Sequence, residues 1–145
     1  MALKLNISKA YNRVEWLFLK GIMSRLGLPE GWIDRVMSCV TTLSFFVSIN
    51  GKTYCNILPS RGLRRYFLSP YLFLLCVEGF SSLLSRAEGK GQLHGVSIYR
   101  RAFSISHLLF ANDSLLFCWA NQEKVQVISE VLQTYTASSG QCINF

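Results

Sequence analysis

Side chains able to hold a metal or act as nucleophiles are scattered in this 145-residue sequence. Cys39, Cys55, Cys76, Cys118 and Cys142 form no C-x-x-C pair, and their odd number argues against a disulfide framework. His94 and His107 show no zinc-ligand spacing. These groups read as buried reduced thiols and ordinary core or surface histidines. Two other features carry more chemistry. Leu63 to Leu68, with Arg64 and Arg65, reads as an irregular, basic loop. Asn112-Asp113 separates two β-rich runs and so reads as a tight hairpin. The formal charge of +7 also invites a nucleic-acid partner, whereas Arg100-Arg101 reads as a solvated turn.

The elements that must position these residues follow from hydrophobic periodicity. Ala2 to Ile7 alternates as a short strand. A helix is predicted from Ser8, as N-cap, to about Leu26, where Gly27 and Pro29 stop it. Ile33, Val36, Met37 and Val40 give the i, i+3, i+4, i+7 pattern of a second helix. Phe45 to Lys52 is a strand whose Asn50-Gly51 signals a hairpin, returning over Thr53 to Leu58. Ser69-Pro70 should open a long helix to about Glu88, with Ser69 as cap. Its stripe is Leu72, Leu75, Cys76, Phe80, Leu83 and Leu84. Val96 to Tyr99, Ile105 to Ala111 and Ser114 to Ala120 read as strands. Gln122 to Ser138 reads as a last helix with Val125, Ile128, Val131, Leu132 and Tyr135 inward, and Ile143 to Phe145 begins a further strand. This order predicts an α+β fold with helices on one face of a mostly antiparallel sheet.

Three segments then resemble a known family. KLNISKAYNRVEW (Lys4 to Trp16) is similar to the first palm motif of plant LINE-type (non-LTR retrotransposon) reverse transcriptases, usually KLDMSKAYDRVEW. PSRGLRRYFLSPYLFLLC (Pro59 to Cys76) resembles the next, usually PSRGLRQGDPLSPYLFLLC. SISHLLFANDSLLF (Ser104 to Phe117) resembles the third, usually ending SHLLFADDSLLF. They occur in the family's order, and SGQCINF at the end matches too, so the resemblance covers essentially the whole chain.

What the resemblance implies is polymerase chemistry, a 3′ hydroxyl attacking a nucleotide's α-phosphate between two Mg²⁺ ions about 3.5–4 Å apart. Hard cations that close together require several carboxylates. Carried over by position, the catalytic triad falls on Asn6, Asn112 and Asp113, of which only Asp113 is acidic. Asn12 is a third aspartate-to-asparagine departure, at a position that holds no metal in the family. Tyr11 falls on the nucleotide-binding aromatic that excludes a ribose 2′-hydroxyl, and Arg61 and Arg64 fall in the retained run that touches nucleic acid. Where the family has Gln-Gly-Asp-Pro, this chain has Arg65-Tyr66-Phe67, one residue shorter. These departures account for five positive units of the +7, so a parent with the family's residues would carry about +2.

The implied reading is a partial reverse transcriptase domain over residues 1–145, a palm segment without fingers, thumb or endonuclease. It derives from a retrotransposon RNA-directed DNA polymerase, whose partners are an RNA template and a DNA primer. It is expected to be catalytically inactive and to bind Mg²⁺ unproductively. The alternative is a non-catalytic nucleic-acid-binding module of the same descent. Half the residues are hydrophobic and mean hydropathy is +0.28, which excludes disorder. The longest apolar run, Tyr71 to Val77, is too short to span a bilayer, and the N-terminus has no secretory pattern. No membrane partner is expected, and the setting is intracellular, in nucleus or cytoplasm.

Overall fold

The computed structural model describes residues 1–63, 67–97, 99–100, 102–110 and 113–144. Strand β1 (Ala2–Ser8) is followed by helices α1 (Ala10–Arg13), α2 (Trp16–Arg25) and α3 (Glu30–Thr41). A hairpin of β2 (Phe45–Ile49) and β3 (Lys52–Ile57) leads to the long helix α4 (Ser69–Gly89). Then come β4 (His107–Phe110), β5 (Asp113–Phe117), α5 (Gln122–Ser139) and β6 (Cys142–Asn144). The main sheet has the order β4-β5-β1-β6, and every pairing in it is antiparallel. The predicted α+β, polymerase-palm-like architecture is what the structure shows.

Alternation along β1 sorts the sheet's faces. Leu5 and Ile7 are buried beneath the helices while Lys4 and Asn6 are exposed on the open face. On α4, Leu72, Cys76, Phe80 and Leu84 recur every four residues and each is at most 2% exposed, so one helical stripe enters the core. The N-terminal half of that stripe packs with Val14, Leu19, Met23 and Ile33. Its C-terminal half packs with Leu5, Leu116, Ile128, Leu132 and Tyr135. α4 is thus the shared spine of two adjoining cores. Asn121 caps α5, its side-chain oxygen accepting from the Glu123 N–H at 3.2 Å.

Four local expectations change. The single helix from Ser8 to Leu26 is broken: Ser8 ends β1, Lys9 is left-handed at φ 51°, and Val14 and Glu15 are non-helical. Tertiary partners satisfy the peptide groups that the break frees. Gly62 N–H donates to the Val14 carbonyl at 2.8 Å, and Glu15 N–H donates to the Ser139 carbonyl at 2.9 Å. Helical periodicity persists through such a break, so sequence alone hides it. Ser69 does not cap α4; Leu68 holds that place, and Ser69 is a buried first-turn residue. Of the strand expected over Val96 to Tyr99, the described residues show one bridge, Val96 with Ile105. Val125 is half exposed rather than inward.

Candidate active site and adjoining cleft

The open face of the sheet brings two of the sequence-predicted residues together. β1 and β5 pair so that Asn6 lies directly opposite Asp113, with Asn144 of β6 on its other side. The Asn6 Nδ2 donates to Asp113 Oδ1 at 3.2 Å. On the same strand, Lys4 Nζ lies 3.6 Å from Asp113 Oδ2. Both carboxylate oxygens therefore already have a donor, one neutral and one cationic. Asn112 lies outside the described residues, as does Arg64.

The donor chemistry of this face decides whether it suits a pair of divalent cations. Among the described residues it offers one carboxylate, Asp113, met by the Asn6 amide and the Lys4 ammonium, with the Asn144 position on the far side of Asn6. Among the described residues no cluster of three or more His, Cys, Asp or Glu could hold a metal. Two close Mg²⁺ ions need several anionic oxygens, and this set does not match them.

Tyr11 lies in α1, just past the end of β1. Its ring packs on Phe73 of α4, with centroids 4.6 Å apart and planes tilted by 32°, and its carbonyl accepts from Leu63 N–H at 2.6 Å. The side chain is half-buried against the first core. Arg61 forms an ion pair with Glu15 at 3.2 Å. Beside these elements, a cleft of about 670 Å³ separates the α1 turn from the β2–β3 hairpin. Lys9, Arg13 and Arg61 line it on one side, Phe46 and Val47 on the other. Arg13 also donates to the Cys142 sulfur, which ties the cleft wall to β6. Lys9 and Arg13 were not singled out in the sequence, because their convergence needs the broken helix.

A buried polar chain holds the α1 turn in place. Gln141, 1% exposed, donates from Nε2 to the Ala10 carbonyl at 2.9 Å and accepts from the Tyr135 hydroxyl at 2.6 Å. Burial pushes the Tyr135 hydroxyl well above the usual tyrosine range; the neighbouring Cys76 thiol adds to this, and a hydrogen bond with Ser139 opposes it. Burial likewise raises the Cys76 thiol to about 12, so it stays protonated and inert. Gly140, left-handed at φ 71°, lets this segment approach closely: a Cβ there would meet the Arg13 carbonyl at 2.8 Å. The sequence signal for this support was SGQ within SGQCINF, to which no role had been attached.

The antiparallel sheet with helices packed on it, and β1 paired to β5 at Asn6 and Asp113, is polymerase-palm-like. The chain belongs to the reverse transcriptase (RNA-dependent DNA polymerase) family, whose model matches residues 1–145. It is also similar to an uncharacterized mitochondrial protein of Arabidopsis thaliana, 46% identical over 72 residues. That match takes in 49% of this chain and 59% of the relative's length. Reverse transcriptases bind template and primer and use divalent metal ions. Among the described residues, no helix is long and apolar enough to cross a membrane.

Proposed function

We propose that this chain is part of a LINE-type, non-LTR retrotransposon RNA-directed DNA polymerase whose nucleotidyl-transfer step has been lost. The observation that carries the reading is the Asn6–Asp113 contact, an amide where the family's chemistry needs a second carboxylate. A missing unit charge about 4 Å from a divalent ion forfeits roughly 4 kcal/mol per unit charge product at an effective dielectric near 20. Asn112 removes a second charge. Even discounted for solvent, two losses correspond to several powers of ten in rate. The shortened Arg65-Tyr66-Phe67 run supports the same conclusion, since bulky residues replace the family's glycine in the sequence. Primer extension on an RNA template with Mg²⁺ or Mn²⁺ tests it. No product is expected, and templated extension by the unmodified chain would overturn the reading.

A second reading, retained nucleic-acid binding without catalysis, is favoured by the cleft. Lys9, Arg13 and Arg61 converge there and need no metal to attract phosphate. Binding that weakens steeply with salt is its expected signature. Absence of binding at low ionic strength would exclude it.

A further inference from the structure

The end of the sheet away from Asp113 carries a second gathering of exposed aromatic and basic side chains. Beyond α4 the chain forms a short arm, closed by the Val96–Ile105 bridge and turned where Ala102 N–H donates to the Tyr99 carbonyl at 3.0 Å. Gly95 lets the arm lie close, because a Cβ there would meet the Ile105 carbonyl oxygen at 2.7 Å. Tyr99 and Phe103 flank the turn and are 71% and 94% exposed. At the arm's foot His94 stacks on Trp119, centroids 5.4 Å apart and planes within 17°. Trp119 is itself 64% exposed. It follows the end of β5, and so stands about 20 Å from Asp113.

The charge around these rings is mostly of one sign. Arg100 lies in the turn between Tyr99 and Phe103, and Lys124 reaches the foot, its Nζ 3.5 Å from the Gly91 carbonyl oxygen. Neither takes part in an ion pair among the described residues. Rings beside unneutralised cations suit unpaired bases, because every base has a face to stack and every nucleotide a phosphate to neutralise. A duplex keeps its bases stacked inside and cannot use them in this way. We propose that the Tyr99–Phe103 arm, with the His94–Trp119 stack, is a stacking platform for single-stranded nucleic acid, separate from the candidate active site and its cleft. The proposal rests on the chain's retained affinity for nucleic acid and is independent of catalysis.

The test is fluorescence anisotropy of labelled 20-nucleotide oligouridylate and oligothymidylate against the full chain, across a salt series. Phe103→Ala and Trp119→Ala should each weaken binding roughly tenfold, with the slope against log salt unchanged. Arg100→Ala should lower that slope by about one. Far-UV circular dichroism checks that each variant folds, and ultraviolet crosslinking of the unmodified chain should label peptides containing Phe103 or Trp119. Arm variants that bind as tightly as the unmodified chain, while Arg13→Ala/Arg61→Ala binds weakly, would overturn the platform and leave the cleft reading standing. An unmodified chain that fails to bind at low salt would overturn both. A self-associated chain that Phe103→Ala turns monomeric, with nucleic-acid affinity unchanged, would make the arm a protein interface and also overturn the proposal.

Discussion

Across the β1–β5 pairing, Asn6 Nδ2 donates to Asp113 Oδ1 at 3.2 Å while Lys4 approaches the other carboxylate oxygen. An acceptor-only carboxylate at position 6 would turn that contact into a repulsion, since neither oxygen carries a hydrogen to give. Without a cation, Asn6→Asp should therefore cost about 1 kcal/mol, a small figure because Asp113 is 46% exposed. With millimolar Mg²⁺ or Mn²⁺ the variant should recover, because two carboxylates now share a cation. The unmodified chain should melt at the same temperature in chelator and in Mn²⁺. A cation-dependent melting temperature in the unmodified chain, abolished by Asp113→Asn, would contradict this account.

Restoring charge should not restore synthesis. Asn6→Asp with Asn112→Asp rebuilds the family's acidic set but leaves the Arg65-Tyr66-Phe67 run one residue short. Primer extension by this double variant is expected to stay at background. Extension restored by the two aspartates alone would show that the shortened run is tolerated.

Gln141 links α5 to α1 through buried partners, so its removal strands them. Gln141→Ala leaves the Ala10 carbonyl and the Tyr135 hydroxyl short of a partner, although Tyr135 keeps a longer contact to the Cys76 carbonyl at 3.4 Å. The expected cost is about 2 kcal/mol, read as a melting temperature roughly 4–8 °C lower. Tyr135→Phe should cost less, because Gln141 retains Ala10. Equal losses from the two variants would mean that the ring hydroxyl, not the amide, holds the turn.

How much of this was legible in the sequence divides along physical lines. Regular elements with long apolar stripes, such as α4 and α5, were readable because periodicity and burial share a cause. The meeting of Asn6 and Asp113 was legible only through the resemblance, which carries both over to one triad. The α1–α2 break was not legible: its cause lies in Gly62 and Ser139, far along the chain. The basic cleft followed that break into view. The Arg100 turn was read as merely solvated because the stack of His94 on Trp119 needs two distant segments.

Gly62 illustrates that non-local cause and yields a further prediction. It sits at φ 94°, and an added Cβ would lie 2.8 Å from the Asn12 carbonyl oxygen. Its carbonyl also accepts from Trp16 Nε1 at 2.9 Å. Gly62→Ala should therefore be destabilising by about 2 kcal/mol or more, from strain and clash together. Chemical denaturation measures this; an unchanged midpoint would show that the loop backs away from α1 at little cost.

His107 gives the chain a pH dependence whose sign can be worked out. Its Nε2 bonds Ser81 Oγ at 2.9 Å and its Nδ1 bonds Ser106 Oγ at 2.8 Å, fastening β4 to α4. Burial lowers its pKa below 6.5, with Glu88 and Glu78 opposing the shift. The unfolded chain therefore takes up this proton at a higher pH than the folded one. The resulting stability is fully present above about 6.5 and is lost as pH falls through the folded value. In denaturation midpoints measured from pH 7.5 down to 5, His107→Gln should flatten the decline, since an amide can still meet a hydroxyl but does not titrate. If the unmodified chain instead gains stability over that interval and His107→Gln removes the gain, the two glutamates outweigh burial.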